Sequence, residues 1–262
     1  MKREISSFIE RTNINNINIE SKIPKNIIQT YKNNHIHEFI YSSIMDMLKI
    51  NDDYNYIFIT DDIGIDLINK YFDENILNAF NKLNVGAAKG DFLRYIAMYV
   101  YGGVYLDLDS NISISLNSFI DPNLEHLFFL DGDCNIQQWC FMTAANNPII
   151  LRVIQEMVKR IHAKEQNIFI ATGPTLFTDV IYNVVNNSSY YNVTQLFSHN
   201  DKYTSFIDNN KYGNGLILYE YTKNLDFFNK FQFRMKNYTE DMLYNNDKYI
   251  VTFNEETPLL YK

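Results

Sequence analysis

GAAKGDFLRYIAMYVYGGVYLDLD, residues 86–109, reads as a helix, a double-glycine break and a strand that ends in two carboxylates. In the helix, Lys89 to Tyr101, Asp91 and Arg94 stand three residues apart and so share one face. Phe92, Leu93, Tyr95 and Ile96 leave little polar surface around them, which points the pair into a cleft rather than at solvent. Gly102 suits a left-handed helix C-cap, and Gly103 lets the backbone turn directly into a strand, Val104 to Leu108. Asp107 and Asp109 then fall at the strand's C-terminal end, where ligands of open α/β sheets bind. Two hard carboxylate oxygens there suit Mg²⁺ or Mn²⁺, either of which can hold a diphosphate. An exposed ion pair and a solvated strand end are the plain alternatives, and a bare Asp-x-Asp is common. The combination is what carries specificity.

Upstream, Ile23 to Tyr31 (IPKNIIQTY) is apolar and β-branched, a buried strand. His35 to Ile50 carries a helical apolar stripe, Tyr54 to Thr60 (YNYIFIT) is a second strand, and Asp73 to Leu83 a further helix. Strand, helix, strand, helix at this cadence predicts an α/β fold with a parallel sheet. Downstream, Leu127 to Leu130 and Cys140 to Ala144 read as strands, and Pro148 to Ala163 as an amphipathic helix begun by a proline. Thr172-Gly-Pro174 opens another helix. Residues 1 to 21 read as a polar arm or a frayed helix, and beyond Ser188 the pattern weakens into short strands and loops, ending with Tyr249 to Phe253. With no repeat and no linker, residues 1–262 are expected to form one domain.

The net charge of −8 argues against a nucleic-acid or anionic-membrane partner, since basic groups such as Lys22 to Lys25 are too sparse to form a basic face. A small anionic ligand remains compatible if a cation neutralises it. Cys134 and Cys140 match no zinc spacing and cannot make a disulfide framework. No apolar run reaches membrane-spanning length and MKREISSFIERTN has no signal-peptide core, so a soluble cytoplasmic enzyme is the expectation.

The central stretch resembles the core signature of the sugar-binding Asp-x-Asp glycosyltransferases of family 32 and of the related large bacterial glucosylating toxins. Asp91, Arg94, Gly102, Gly103, Tyr105, Asp107 and Asp109 stand in register with it; Gly90 replaces the usual Ser and Met98 the usual Leu. IPKNIIQTY is similar to the family's opening strand, with Ile28 in place of His and Tyr31 in place of Trp. CFMTAANNPII and TGPTLFT extend the likeness, which spans about residues 22 to 180 and makes that part the donor-binding core, with 181–262 the acceptor and C-terminal part.

The resemblance implies a GT-A fold, a Rossmann-like and mostly parallel sheet flanked by helices. It implies a nucleotide-sugar donor, UDP-sugar favoured, transfer with retention of anomeric configuration, and Mn²⁺ or Mg²⁺ as cofactor. Carried over by residue, Asp107 and Asp109 form the metal site, Asp109 as direct ligand and Asp107 toward ribose, sugar and the metal's water shell. Asp91 and Arg94 act on the sugar hydroxyls and the scissile linkage, so that Asp91, Arg94 and Asp107 are the catalytic candidates. Thr30, Tyr31, Ala87 and Tyr105 complete the donor site: Tyr31 against the nucleobase, backbone near Ala87 on the nucleoside, Tyr105 beside the diphosphate. The acceptor, whether glycan, lipid or protein, is not specified. The family's closing His-containing segment and Ser-Trp pair are absent from VTFNEETPLLYK, where Asn254 or Glu255 are the available oxygens.

LDLDSN also resembles the Asp-x-Asp loop of haloacid-dehalogenase-type phosphatases, but that loop usually follows the first strand of its core. A nucleotide-sugar binder without activity is the other alternative. His35 and His37, two apart on the expected helix, point to different faces. Asp131-Gly-Asp133 reads as a turn, and Gln137 and Gln138 fall near the cleft with no role fixed.

Overall fold

In a computed structural model of the chain, the described residues are 2–10, 21–118, 120–130, 135–187, 203–208, 213–219, 233–234 and 260–261. The chain opens with β1 (Lys2–Glu4), β2 (Phe8–Ile9), β3 (Asn26–Thr30) and β4 (His35–His37). It continues through α1 (Glu38–Ile50), β5 (Asn55–Ile59), α2 (Asp61–Tyr71), α3 (Glu74–Lys82) and α4 (Gly86–Tyr101). After β6 (Gly103–Leu106) and β7 (Ser110–Asn111) come β8 (His126–Leu130), β9 (Cys140–Thr143), α5 (Pro148–His162), α6 (Ile168–Ala171) and α7 (Pro174–Asn187). The last three strands are β10 (Tyr203–Asp208), β11 (Gly213–Tyr219) and β12 (Phe233–Arg234).

Eight strands form one sheet in the order β10-β11-β8-β9-β6-β3-β5-β2. β5, β3 and β6 are mutually parallel, β8 and β11 run the same way, and β9 is inserted antiparallel between β6 and β8. The expected GT-A-type α/β architecture is therefore present, a mixed sheet whose main direction is set by five strands. Successive strand residues alternate between two cores, as the pleat requires. Ile28, Ile57 and Tyr105 pack under α2 to α5 and α7, whereas Ile27, Tyr56, Phe58 and Val104 pack under α1. Sheets covered on both faces are built from such continuous apolar runs, which is why NYIFI and NIIQT are legible as strands.

The helices start where their caps stand. The Thr60 hydroxyl accepts from Ile63 N–H, Asp73 Oδ1 from Ile76 N–H, and Asn147 caps α5 just ahead of Pro148. α4 is different: it has no side-chain cap, and residues on every side of it are buried, Asp91 and Arg94 included. It ends at Gly102 (φ 61°), and Gly103 (φ 124°) follows. A side chain on Gly102 would run into Ala145 backbone, and one on Gly103 into the Asn26 carbonyl. Both glycines are required.

Three expectations are corrected. The N-terminal segment forms β1 and β2 rather than a frayed helix, because it pairs with β4 and with the edge of β5. His35 and His37 belong to β4, held there by β1, so α1 begins only at Glu38, with His37 Nδ1 accepting from Phe39 N–H. The strand after Gly102 stops at Leu106 rather than Leu108. Tyr249 to Phe253, Asp131 to Asp133, Cys134, Asn254 and Glu255 lie outside the described residues.

His126 opens β8 with its imidazole fully buried and stacked on Phe128, ring centroids 5.1 Å apart at 23°. Burial pushes its pKa down to about 3, against about 6.5 for an unfolded chain. The unfolded state thus takes up a proton that the folded state refuses. The stability contributed by neutral His126 is complete above about pH 6.5 and is lost as the pH falls toward 3. Between pH 6 and 4 the unmodified protein is expected to lose about 2 kcal/mol more stability than His126→Phe in urea titrations. Parallel pH profiles for the two proteins would contradict this.

Candidate active site

Because β3, β5 and β6 are parallel, their C-terminal ends reach one edge of the sheet, bringing Tyr31, Asp61 and Asp107 to that edge. Past Leu106 the chain makes a tight turn, in which Ser110 N–H donates to the Asp107 carbonyl at 2.9 Å. Asp107 and Asp109 are thus the first and third residues of a β-turn, projecting from the sheet edge rather than continuing the strand.

Arg94 organises the site from α4. Its Nη2 lies 2.9 Å from Asp91 Oδ1 and 3.1 Å from Asp107 Oδ1, and its Nη1 donates to the Gln138 carbonyl at 3.1 Å. The guanidinium lies 5.0 Å from the Tyr105 ring centroid. Arg94 and Asp91 are each only 6 % exposed. This is a buried charge cluster and not a surface i,i+3 pair, and such clusters persist only when their remaining polar atoms are held. Asp91 meets that condition: Gln138 Nε2 donates to Oδ1 and the Thr172 hydroxyl to Oδ2, both at 3.0 Å. Tyr95 in turn donates to Gln138 Oε1 at 2.7 Å. Arg94 Nε is buried and has no hydrogen-bond partner among the described residues.

Burial lifts the Asp91 carboxyl to about 7, against the pull of Arg94, Thr172 and Gln138. Burial alone would lower the Arg94 pKa, but Asp107, Tyr105 and Asp91 more than offset it and raise the value, so the guanidinium stays charged. The network continues outward. The Tyr105 hydroxyl donates to Asp107 Oδ1 at 2.8 Å and meets the Thr30 hydroxyl at 3.0 Å. Asp109 is the more lightly held acid, with Ser110 Oγ at 3.4 Å from its Oδ1.

Tyr31 follows β3, half-buried, with its N–H on the Ile59 carbonyl and the Lys32 ammonium 5.8 Å from its ring centroid. Ala87 lies in the uncapped first turn of α4, where Lys89 reaches Asp61 at 3.7 Å. A side chain at Gly90, the position of the family's Ser, would meet nothing within 4 Å. Asp91, Arg94, Tyr105, Asp107 and Thr30 therefore join in one continuous network, Tyr31 stands beside it on the same strand edge, and Asp109 is on the turn above. Thr172, Gln138 and Gln29 carry weight that sequence reading did not assign. Gln29 had a signal, as a long amide directly after Ile27 and Ile28 in a strand read as buried.

On the turn itself, the carboxylates available to a cation are Asp107 and Asp109. Among the described residues no three His, Cys, Asp or Glu side chains cluster as a closed site. Two carboxylates with the remaining positions left to water and phosphate is the usual coordination of Mg²⁺ and its close relatives, so the residues present fit such an ion.

Residues 38–125 match the family described as the glycosyltransferase sugar-binding region containing a DXD motif. Inositol phosphoceramide mannosyltransferase 3 of Schizosaccharomyces pombe is 27 % identical over 170 residues, covering 63 % of this chain and 46 % of the relative. A mannosyl phosphorylinositol ceramide synthase of Saccharomyces cerevisiae is 29 % identical over 165 residues, 61 % of this chain and 42 % of the relative. An uncharacterised glycosyltransferase of Acanthamoeba polyphaga mimivirus is 26 % identical over 150 residues, covering 54 % and 57 %. The chain thus spans less than half the length of the two yeast proteins. Among solved structures, the PaToxG glycosyltransferase superposes with a TM-score of 0.51 at 23 % identity over 63 % of this chain and 70 % of that one, a likeness of fold. No helix among the described residues is long and apolar enough to cross a membrane.

Proposed function

We propose that this chain, whose residues 38–125 match the glycosyltransferase sugar-binding region containing a DXD motif, is a metal-dependent, retaining hexosyltransferase using a nucleoside diphosphate sugar. The observation that carries the proposal is the turn bearing Asp107 and Asp109 at the sheet edge, with Asp107 bound to buried Arg94. UDP-sugars are the favoured donors. The mannosyl transfer named for the yeast relatives adds mannose to the candidate sugars and a phosphoinositol lipid to the glycan and protein acceptors. We take the whole chain as one catalytic domain.

In the reaction, the bond from the sugar's anomeric carbon to the diphosphate oxygen breaks, a bond to an acceptor hydroxyl forms on the same face, and the acceptor loses its proton. Mn²⁺ or Mg²⁺, bound by Asp109 with Asp107 beside it, would draw charge from the departing diphosphate. Arg94 supports the same charge through the fixed fork of its guanidinium, and its Nε, without a hydrogen-bond partner among the described residues, is a further donor. Asp91 orients sugar hydroxyls, while Tyr105 and Thr30 line the diphosphate side. The phosphatase alternative usually has its Asp-x-Asp loop after the first strand of its core, whereas here it follows β6, after β3 and β5.

A thermal-shift panel of nucleotide sugars with Mn²⁺ tests the proposal. A true donor at a hundred times its dissociation constant stabilises the folded state by about 2.7 kcal/mol. One nucleotide sugar is expected to raise the melting temperature by several degrees; a panel without any shift removes the reading. Hydrolysis of that donor in water then separates an enzyme from an inactive binder. Tyr31→Ala is expected to weaken nucleotide affinity by about 1–3 kcal/mol through lost stacking on the base. Unchanged affinity by calorimetry would make Tyr31 a packing residue only.

A further inference from the structure

Gln29 lies in the middle of the sheet with no exposure, yet its side chain touches the turn that carries both acidic residues. Its Nε2 donates to the Asp107 carbonyl at 3.0 Å and to the Ser110 carbonyl at 3.3 Å, the two ends of that turn. Its Oε1 accepts from the Tyr56 hydroxyl at 2.9 Å. These three contacts permit one amide orientation. Flipped, Oε1 would face two carbonyl oxygens and lose both bonds. The two carbonyls, which can only accept, fix that choice; the buried Tyr56 phenol, its pKa held well above the ordinary value, stays protonated and donates to the remaining Oε1, and its ring stacks on Phe58 with centroids 6.3 Å apart.

We propose that Gln29, held from behind by the Tyr56 hydroxyl, is the positioning residue of the Asp107–Ser110 turn and sets the geometry in which Asp107 and Asp109 meet a divalent cation. The turn's own closure is a single backbone bond, Ser110 N–H to Asp107 carbonyl, and Gln29 ties both of its ends to β3. β3 also pairs directly with β6, so the turn is referred to the strand that carries Thr30 and leads into Tyr31. Gln29 touches no substrate in this arrangement; it acts through the backbone of the residues that do. Partners that orient metal-binding residues in this way change metal affinity about 10–100-fold when removed.

This inference rests on the metal-binding part of the proposed function, so its test has one arm with metal and one without. In the metal-free protein, amide hydrogen exchange at Ser110 is expected to be at least tenfold faster in Gln29→Leu than in the unmodified protein, with α5 amides unchanged. Mn²⁺ titrations followed by electron paramagnetic resonance, with UDP present, are expected to give a Kd at least tenfold weaker in Gln29→Leu. Tyr56→Phe, which retains Gln29 and most of the packing, should move both readouts in the same direction by a smaller factor. It covers the case in which Gln29→Leu fails to fold. Ser110 exchange equal to that of the unmodified protein in the variants overturns the proposal. If the unmodified protein takes up no Mn²⁺, the metal reading of the site falls, while Ser110 exchange still decides for or against the clamp.

Discussion

Asp109→Asn is expected to lower donor turnover by about 100–1000-fold, matching the several kcal/mol a Lewis-acid ion contributes at a leaving diphosphate. The substitution keeps the shape of the side chain and removes one of the two carboxylates available to the ion. Among the described residues Asp109 has one long side-chain hydrogen bond, to Ser110 at 3.4 Å, and it lies outside the buried cluster around Arg94. The melting temperature should therefore change by no more than a degree or two, as for other substitutions at partly exposed positions. Turnover measured at saturating nucleotide sugar and Mn²⁺, beside a thermal melt of the same preparation, checks both halves. Near-normal turnover would mean that the carboxylate is not a ligand.

Arg94→Lys is expected to reduce turnover by about 100-fold while changing donor affinity only a few-fold. The guanidinium reaches three partners at once, Asp91, Asp107 and the Gln138 carbonyl. A lysine ammonium keeps the charge but cannot span that fork. What is lost is alignment of charge with a leaving group, an effect felt most as negative charge develops. The substitution also loosens a buried cluster, so turnover and affinity should be compared well below the variant's melting temperature. Unmodified turnover in Arg94→Lys would return the pair to a structural role.

Much of this was legible because it is local. The i,i+3 spacing of Asp91 and Arg94 in an apolar helix announced a shared face, and Gly102-Gly103 announced a break with positive φ. The β-branched runs NIIQT and NYIFI announced buried parallel strands. What failed was decided by distant partners. The pattern VYLDL continues past Leu106 as a strand would, yet the backbone turns there, with Gln29, 78 residues upstream, bonded to the turn. β1 and β2 have no strong local preference and take their conformation from β4 and β5. Thr172 and Gln138 reach Asp91 across 81 and 47 residues, so only the fold brings them together. A residue that opens a helix and a glutamine in a loop give no advance sign of holding a buried carboxylate.

Whether Asp109 binds a divalent cation that bridges to a nucleoside diphosphate is decided by anomalous diffraction from a crystal grown with Mn²⁺ and the preferred nucleotide sugar. A manganese peak is expected at coordination distance, about 2.1 Å, from an Asp109 carboxylate oxygen and in contact with diphosphate oxygens. A manganese peak away from Asp109, or an ordered diphosphate with no metal beside it, would contradict that assignment.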